Sequence, residues 1–346
     1  MMRYQQLGNS DIQVSSICLG TMTFGGQNTQ TEAFEQLDYA IEQGINFIDT
    51  AEMYAIPTSA KTYGATETII GQWLKKTKKR NDIVLATKVA GPSRIKHIRS
   101  GKARLDRENI TTAINGSLKR LQTDEIDLYQ LHWPDRNTNF FGSLNYQQDD
   151  KAIETPIEET LIALSDLVKA GKIRWIGISN ETAWGAMKFL QVAEKLDLEE
   201  IVSIQNPYNL LNRSFELNLA EVSHRENLSL LAYSPLAFGT LTGKYRNNQQ
   251  PENARCTLFK EYKRYFKPAS IAATEEYAQL AEHFDLSLTA MALAFVYQQT
   301  CVTSTIIGAT NLKQLQENIA NYTIQLSKEL LAEIEKIHAK HTYPAP

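Results

Sequence analysis

Eight short apolar runs, nearly all followed by a stretch of helical periodicity, recur along the chain at residues 16–20, 45–48, 83–88, 126–132, 173–180, 201–206, 228–235 and 304–307. A strand covered on both faces reads as a continuous apolar run, and charge appears only where it emerges. The intervening segments are long enough to cross back over a sheet, so the strands should pair in parallel. Helices are expected through Gln43, capped by Thr31 and stopped at Gly44, and over 67–76, 107–121, 157–169 and 182–196. Further helices are expected from Ser214, across 270–298, over 311–318 and over 327–338, and a hairpin around Gly8-Asn9-Ser10 opens the chain.

An eightfold βα alternation without a break in composition predicts one α/β domain over 1–346, a closed (β/α)8 TIM barrel. The 346 residues would also allow two average domains, but barrels of about 250 residues with insertions fit as one. A doubly wound sheet would instead place Gly-x-Gly-x-x-Gly after an early strand, and Gly20 to Gly26 has the wrong spacing. The stretch Gly239-Thr240-Leu241-Thr242-Gly243-Lys244-Tyr245 is one residue short of a P-loop and carries Tyr245 where a hydroxyl would hold magnesium. Segments 55–66, 90–106 and 133–156 are too long for plain connections. Each follows a strand, so in a barrel all three gather on the C-terminal face, where they would wall a substrate.

Composition narrows the partners. The net charge of −3 offers no basic surface for nucleic acid, and no apolar run approaches the roughly 20 residues of a membrane span. Residues 1–16 lack the pattern of a signal peptide. The cysteines, Cys18, Cys256 and Cys301, fit neither a disulfide framework nor a metal site, and no His-x-His or His-Glu-x-x-His occurs. A cytoplasmic, metal-free protein acting on a small molecule is expected, with its oligomeric state open.

Three strands end in polar side chains, at Asp49, Lys88 and His132, and a phenol, Tyr54, follows the first by five residues. Singly, each has a plainer reading: a turn-capping Asp, a surface Lys, a satisfied core His. Ends of neighbouring barrel strands converge, and together the four form an acid–base device for a carbonyl or alcohol. A phenol is a poor donor at neutral pH, and bringing its pKa from about 10 toward 7 takes about 4 kcal/mol. A lysine ammonium at about 4 Å supplies roughly that at an effective dielectric of 20. Lys88 must then be shielded yet charged, which Asp49 would secure. His132 would orient the same substrate oxygen.

These residues resemble the aldo-keto reductase superfamily, and within it the Tas-like and potassium-channel β-subunit-like branch. The resemblance is carried by Gly44 through Tyr54, Lys88, Leu128 through His132, Gly177 through Asn180, Gln205 through Asn209, Tyr233 through Tyr245, Ile307-Gly308 through Asn318, and the ending Tyr343-Pro-Ala-Pro. It implies a barrel that binds NADP(H) without a Rossmann motif and transfers hydride to an aldehyde or ketone, with Tyr54 as proton donor. By position, Thr21, Met22 and Asp49 would line the cofactor, and Ser179, Asn180 and Gln205 would hold the nicotinamide carboxamide. Tyr233 would stack on the ring. Ser234, Pro235, Leu236, Ala237, Phe238, Gly239, Thr240, Leu241, Thr242, Gly243 and Lys244 would wrap the pyrophosphate. Gly308, Thr310, Gln314, Glu317 and Asn318 would hold the adenosine end, near a helix opening suited to the 2′-phosphate. Where many members carry an arginine, this chain has Leu312, Lys313 and Gln314, so Arg255 becomes the expected phosphate clamp. Tyr54, His132 and Trp133 would contact substrate, with Phe140, Phe141 and Tyr146 completing an aromatic mouth.

Two other function classes stay open at this point. One is a nucleotide-sensing regulatory subunit with little turnover; the other is a barrel hydrolase or isomerase that works without cofactor. NADPH binding and aldehyde-dependent NADPH oxidation separate all three.

Overall fold

The computed structural model describes residues 1–345, so Pro346 of the C-terminal motif lies outside them. A hairpin, β1 (Tyr4–Gln6) with β2 (Gln13–Ser15), pairs antiparallel around Gly8-Asn9-Ser10. Eight parallel strands follow: β3 (Ile17–Gly20), β4 (Phe47–Asp49), β5 (Val84–Val89), β6 (Ile126–Leu131), β7 (Ile173–Ser179), β8 (Ile201–Pro207), β9 (Ser229–Tyr233) and β10 (Val302–Ile307). They close in sequence order, with β10 returning to β3, into a (β/α)8 barrel. Around it lie α1 (Gln30–Glu42), α2 (Ala65–Thr77), α3 (Arg107–Leu121), α4 (Ile157–Lys169), α5 (Ala183–Leu196) and α6 (Leu219–Arg225). The ring continues with the short α7 (Arg255–Leu258), then α8 (Pro268–His283), α9 (Leu288–Tyr297), α10 (Leu312–Ala320) and α11 (Lys328–Lys340).

Period-two alternation sorts the strand residues. Leu19, Ile48, Leu85, Val89, Tyr129, Leu131, Ile178 and Ile204 face the helices and join the large core they share with them. Cys18, Phe47, Val84, Ala86, Leu128, Leu231 and Ile306 form a second, smaller cluster inside the barrel. Leu7, Ile12 and Val14 of the hairpin belong to that inner cluster, so the hairpin closes the N-terminal end of the cylinder. None of the described helices is long and apolar enough to cross a membrane.

Two local expectations are corrected. Helix α1 is capped by Thr29, not Thr31: Glu32 N–H donates to Thr29 Oγ1 at 3.3 Å while Thr29 N–H donates to the Glu32 carboxylate at 2.8 Å. Only Thr29 has a glutamate three residues on to complete this reciprocal cap. The helix expected from Ser214 is divided into a tight turn, Ser214–Leu217, and α6, with Arg213 clamped on Glu216 across the turn.

The three long segments do meet on the C-terminal face. Ala90, Ile98, Ala103 and Trp133 pack together, with Met53, Tyr63 and Phe140 against them. A fourth rim segment joins them after β9, containing the turn Ala237–Thr242 and α7.

Candidate active site

Strand register gathers the polar residues at the C-terminal ends of adjacent strands, with Asp49 two residues below Lys88 and Gln130. Asp49, the last residue of β4, lies opposite Ala86, and Lys88 lies opposite Gln130. Phe47, Ala86 and Leu128 line the inner wall, so Asp49, Lys88 and Gln130, each two residues further on, line it too. Gly177, opposite Gln130 on β7, makes room for this layer: a Cβ there would sit 2.6 Å from Ser203 Oγ and 3.0 Å from Gln130 Cγ.

Asp49, Lys88, Gln130 and Gln205 are tied into one hydrogen-bonded set, while Ser203 Oγ beside them is buried without a partner. Lys88 Nζ donates to Asp49 Oδ2 at 2.6 Å and to the Thr50 carbonyl at 2.8 Å. Asp49 Oδ1 accepts from the side-chain amides of Gln130 at 3.0 Å and Gln205 at 2.9 Å, and Gln205 also donates to Gln130 Oε1. Lys88 and Asp49 are buried, so the pair is worth holding only because these extra bonds satisfy it. Tyr54 arches over the pair, its ring centroid 5.0 Å from Lys88 Nζ. His132, one residue past β6, sets its imidazole edge-on to Tyr54 with centroids 5.7 Å apart, and Trp133 lies 5.0 Å beyond. The sequence placed these four together, and the structure brings them together.

Electrostatics differ from expectation at one point. Burial raises the Tyr54 phenol above its ordinary value; Lys88 pulls it down, but not enough to win. Burial pushes Lys88 toward neutrality, yet Asp49 and then Tyr54 more than restore it, so the amine stays charged. Burial and Lys88 together hold His132 well below the usual histidine range, leaving a neutral imidazole whose Nδ1 is buried without a hydrogen-bond partner. The expected shift of the phenol toward 7 is therefore overturned: desolvation of the ring exceeds the pull of one ammonium.

The loop that carries Tyr54 is anchored by a carboxylate the sequence reading did not single out. Glu52, fully buried, accepts from Ala90 N–H at 2.6 Å, Tyr63 OH at 2.8 Å and Arg99 Nη1 at 2.7 and 2.9 Å. It thereby ties the Tyr54 loop to the second long segment. Gln130 was also missed, although it stands two residues before His132 on the same wall.

The residues assigned to a cofactor by resemblance form three neighbouring groups. At the ends of β7 to β9, Ser179 Oγ donates to the Gln205 carbonyl at 2.7 Å, Asn180 Nδ2 to the His132 carbonyl at 2.9 Å, and Tyr233 OH to Asn180 Oδ1 at 2.6 Å. Beyond β9, Ser234 to Lys244 winds through left-handed residues at Ser234, Ala237, Phe238, Gly239 and Gly243. Successive N–H groups in such alternating conformations form anion-binding concavities. Lys244 folds back across Gly239, where a Cβ would meet its Cε at 2.6 Å, and Thr240 Oγ1 is buried without a partner. Burial and then the neighbouring Arg255 lower the pKa of Lys244, and burial lowers that of Arg255. At the third group, past β10, Thr310 N–H and Oγ1 both donate to Gln314 Oε1 at 3.0 Å, and Asn318 reaches the Gly308 carbonyl at 3.4 Å. Glu317 is exposed, and Asn311 already caps α10 by accepting from Gln314 N–H, so one of the expected free donors is taken. Thr21 donates to the Asp49 carbonyl at 2.8 Å, and the Met22 carbonyl holds Ile56 N–H, so both sit beside this polar layer. Leu236 and Leu241, joined by a backbone bond, and Pro235 and Thr242 complete the turn. Of the expected aromatic mouth, Trp133, Phe140 and Phe141 meet, with Phe141 5.8 Å from Trp133 and 5.1 Å from Phe140. Tyr146 does not join them and is 61% exposed.

The comparisons agree with this geometry. Residues 16–339 match the Aldo/keto reductase family. The chain is 52% identical over 347 residues to Protein tas of Escherichia coli, covering all of both chains. It is 34% identical to the uncharacterized oxidoreductase YrpG of Bacillus subtilis, over all of this chain and 97% of that one. Norsolorinic acid reductase B of Dothistroma septosporum is 29% identical over 99% of this chain and 83% of its own. The chain belongs to the aldo/keto reductase family.

Proposed function

We propose that this oxidoreductase reduces aldehydes or ketones to alcohols with NADPH, using Tyr54 as the proton donor. The observation that carries the reading is the buried phenol of Tyr54 between a charged Lys88 and a neutral His132. The cofactor residues fit a phosphorylated dinucleotide: the left-handed turn with its buried, unpartnered Thr240 hydroxyl suits a pyrophosphate, and Lys244 and Arg255 have no carboxylate among the described residues. Arg255 would read the 2′-phosphate, which favours NADPH over NADH. When bound, the nicotinamide supplies the hydride.

This chain's residues do the rest. The neutral His132 donates one N–H to the carbonyl oxygen and fixes its approach. Tyr54 OH lies on the same side and passes its proton to the oxygen as negative charge develops there. Lys88 stabilises the resulting phenolate, and Asp49 keeps the lysine charged. A raised phenol pKa keeps Tyr54 protonated at neutral pH, which suits reduction; alcohol oxidation would need the phenolate and is disfavoured there. The aromatic group of Trp133, Phe140 and Phe141 walls off water and favours apolar carbonyls. The relative named as a reductase points in the same direction. The same reading carries one catalytic domain in the cytoplasm, with a small-molecule partner and neither nucleic acid nor membrane.

The test is NADPH oxidation with benzaldehyde. Tyr54→Phe should lower kcat by roughly 10²–10⁴-fold while NADPH still quenches protein fluorescence. Wild-type rates in that variant would remove the donor role, and absence of NADPH binding by wild type would remove the reading altogether.

A further inference from the structure

Arg264, between α7 and α8, differs from almost every other arginine that is not fully exposed. Arg3 and Arg94 lie exposed; of the other described arginines Arg255 and Arg264 alone face no carboxylate, the rest being paired, from Arg80 on Asp127 to Arg246 on Glu275. Arg255 belongs with Lys244 beside the phosphate turn, close enough to lower the lysine's pKa. Arg264 shares Phe238 with Arg255, whose guanidinium carbon is 5.6 Å from that ring's centroid, but it alone also reaches Phe141. Its guanidinium carbon is 5.7 Å from the Phe238 centroid and 5.9 Å from that of Phe141, and, against burial, the phenols of Tyr233 and Tyr265 lie close enough to hold its pKa up.

Its position relative to the reacting centre follows from the aromatic contacts. His132 touches Trp133, Trp133 touches Phe141 at 5.8 Å, and Phe141 meets Arg264; from the other side, Asn180 holds Tyr233, which meets Arg264. The cation thus joins the substrate wall to the cofactor wall, about two aromatic rings from the imidazole. Aromatic faces accept a guanidinium by cation–π attraction without neutralising it. Its planar fork remains suited to a carboxylate, which it can hold by two parallel hydrogen bonds.

Building on the reductase reading, we infer that Arg264 is a specificity-determining residue that pairs with a carboxylate on the substrate, remote from its reacting carbonyl. The preferred substrates are then apolar or aromatic aldehydes and ketones that end in an acid group.

The experiment compares kcat/KM for NADPH-dependent reduction of 4-carboxybenzaldehyde and 4-formylcinnamic acid with their methyl esters, in wild type, Arg264→Met and Arg264→Lys. Wild type should prefer at least one acid over its ester by about tenfold or more. Arg264→Met should erase that preference, chiefly through KM for the acid, and Arg264→Lys should restore part of it. Ester turnover and the NADPH dissociation constant, read by fluorescence, should stay within about twofold, as expected where a charge-assisted bond to the acid alone is lost. An acid-to-ester ratio near one in wild type overturns the inference, as does equal loss on acid and ester. A tenfold weaker NADPH constant in Arg264→Met would assign the guanidinium to the nucleotide instead. If wild type reduces neither acids nor esters, the reductase reading itself falls and takes this inference with it.

Discussion

Toward the N-terminal ends of its strands the barrel is filled by Phe47, Ala86 and Leu128; two residues later on the same strands the wall is Asp49, Lys88 and Gln130. The two layers share strands, parity and near-total burial, yet one is filled by volume and the other by a closed set of hydrogen bonds. A lower-layer residue can be traded for another apolar one of similar size at modest cost. An upper-layer residue cannot be removed alone, because its partner is left charged or unbonded in a desolvated site. The barrel is thus held by packed volume below and by paired polar groups above.

The largest expected effect is on the upper layer. Lys88→Met leaves the Asp49 carboxylate buried and uncompensated and should cost about 3–5 kcal/mol in urea unfolding, with reduction abolished. Adding Asp49→Asn to it should recover most of that stability and none of the activity; a double variant no more stable than the single one would break the contrast between layers. In the lower layer, Leu128→Ala should cost about 2–5 kcal/mol yet leave aldehyde kcat/KM unchanged below its melting temperature. Loss of activity by the folded variant would show that the layers are not separable.

Smaller effects sharpen the boundary. Arg99→Met strips Glu52 of one partner while Ala90 N–H and Tyr63 OH remain, and should cost about 1–3 kcal/mol. Because Glu52 anchors the Tyr54 loop, kcat should fall more than KM rises; an effect on KM alone would make the pair merely structural. The smallest effect is in pH. With the phenol raised above its ordinary value, reduction should hold through the neutral range and decline only in strongly alkaline buffer. With His132 depressed, the unfolded chain binds a proton below its ordinary pKa that the folded chain does not, so stability should fall as pH drops through about 6.5. His132→Gln should flatten that acid slope in melting temperature.

Asp49, Lys88 and His132 were legible because a two-faced buried strand tolerates charge only near its end, and three runs broke that rule together. Gln130 was equally well placed, but a neutral amide between Tyr129 and Leu131 gives no contrast in a residue string. Glu52 and Arg99 are 47 residues apart, and no spacing rule links two loops that meet only after the barrel closes. Arg264 was hidden for the same reason. The direction of the Tyr54 shift was misjudged because proximity of an ammonium can be read from strand order, whereas desolvation depends on how tightly four rim segments pack. The Thr29 cap shows the local counterpart, where a glutamate three residues on outranked the nearer threonine.

The hairpin that stoppers the barrel has a kinetic corollary. A cylinder stoppered by Leu7, Ile12 and Val14 is a cul-de-sac at that end, so under the proposed function nucleotide, carbonyl and alcohol would all pass the opposite rim, by the doorway beside Trp133, Phe141 and Arg264. If the nucleotide lies along the floor of that doorway, traffic is last-in, first-out: the coenzyme boards before the carbonyl and disembarks after the alcohol.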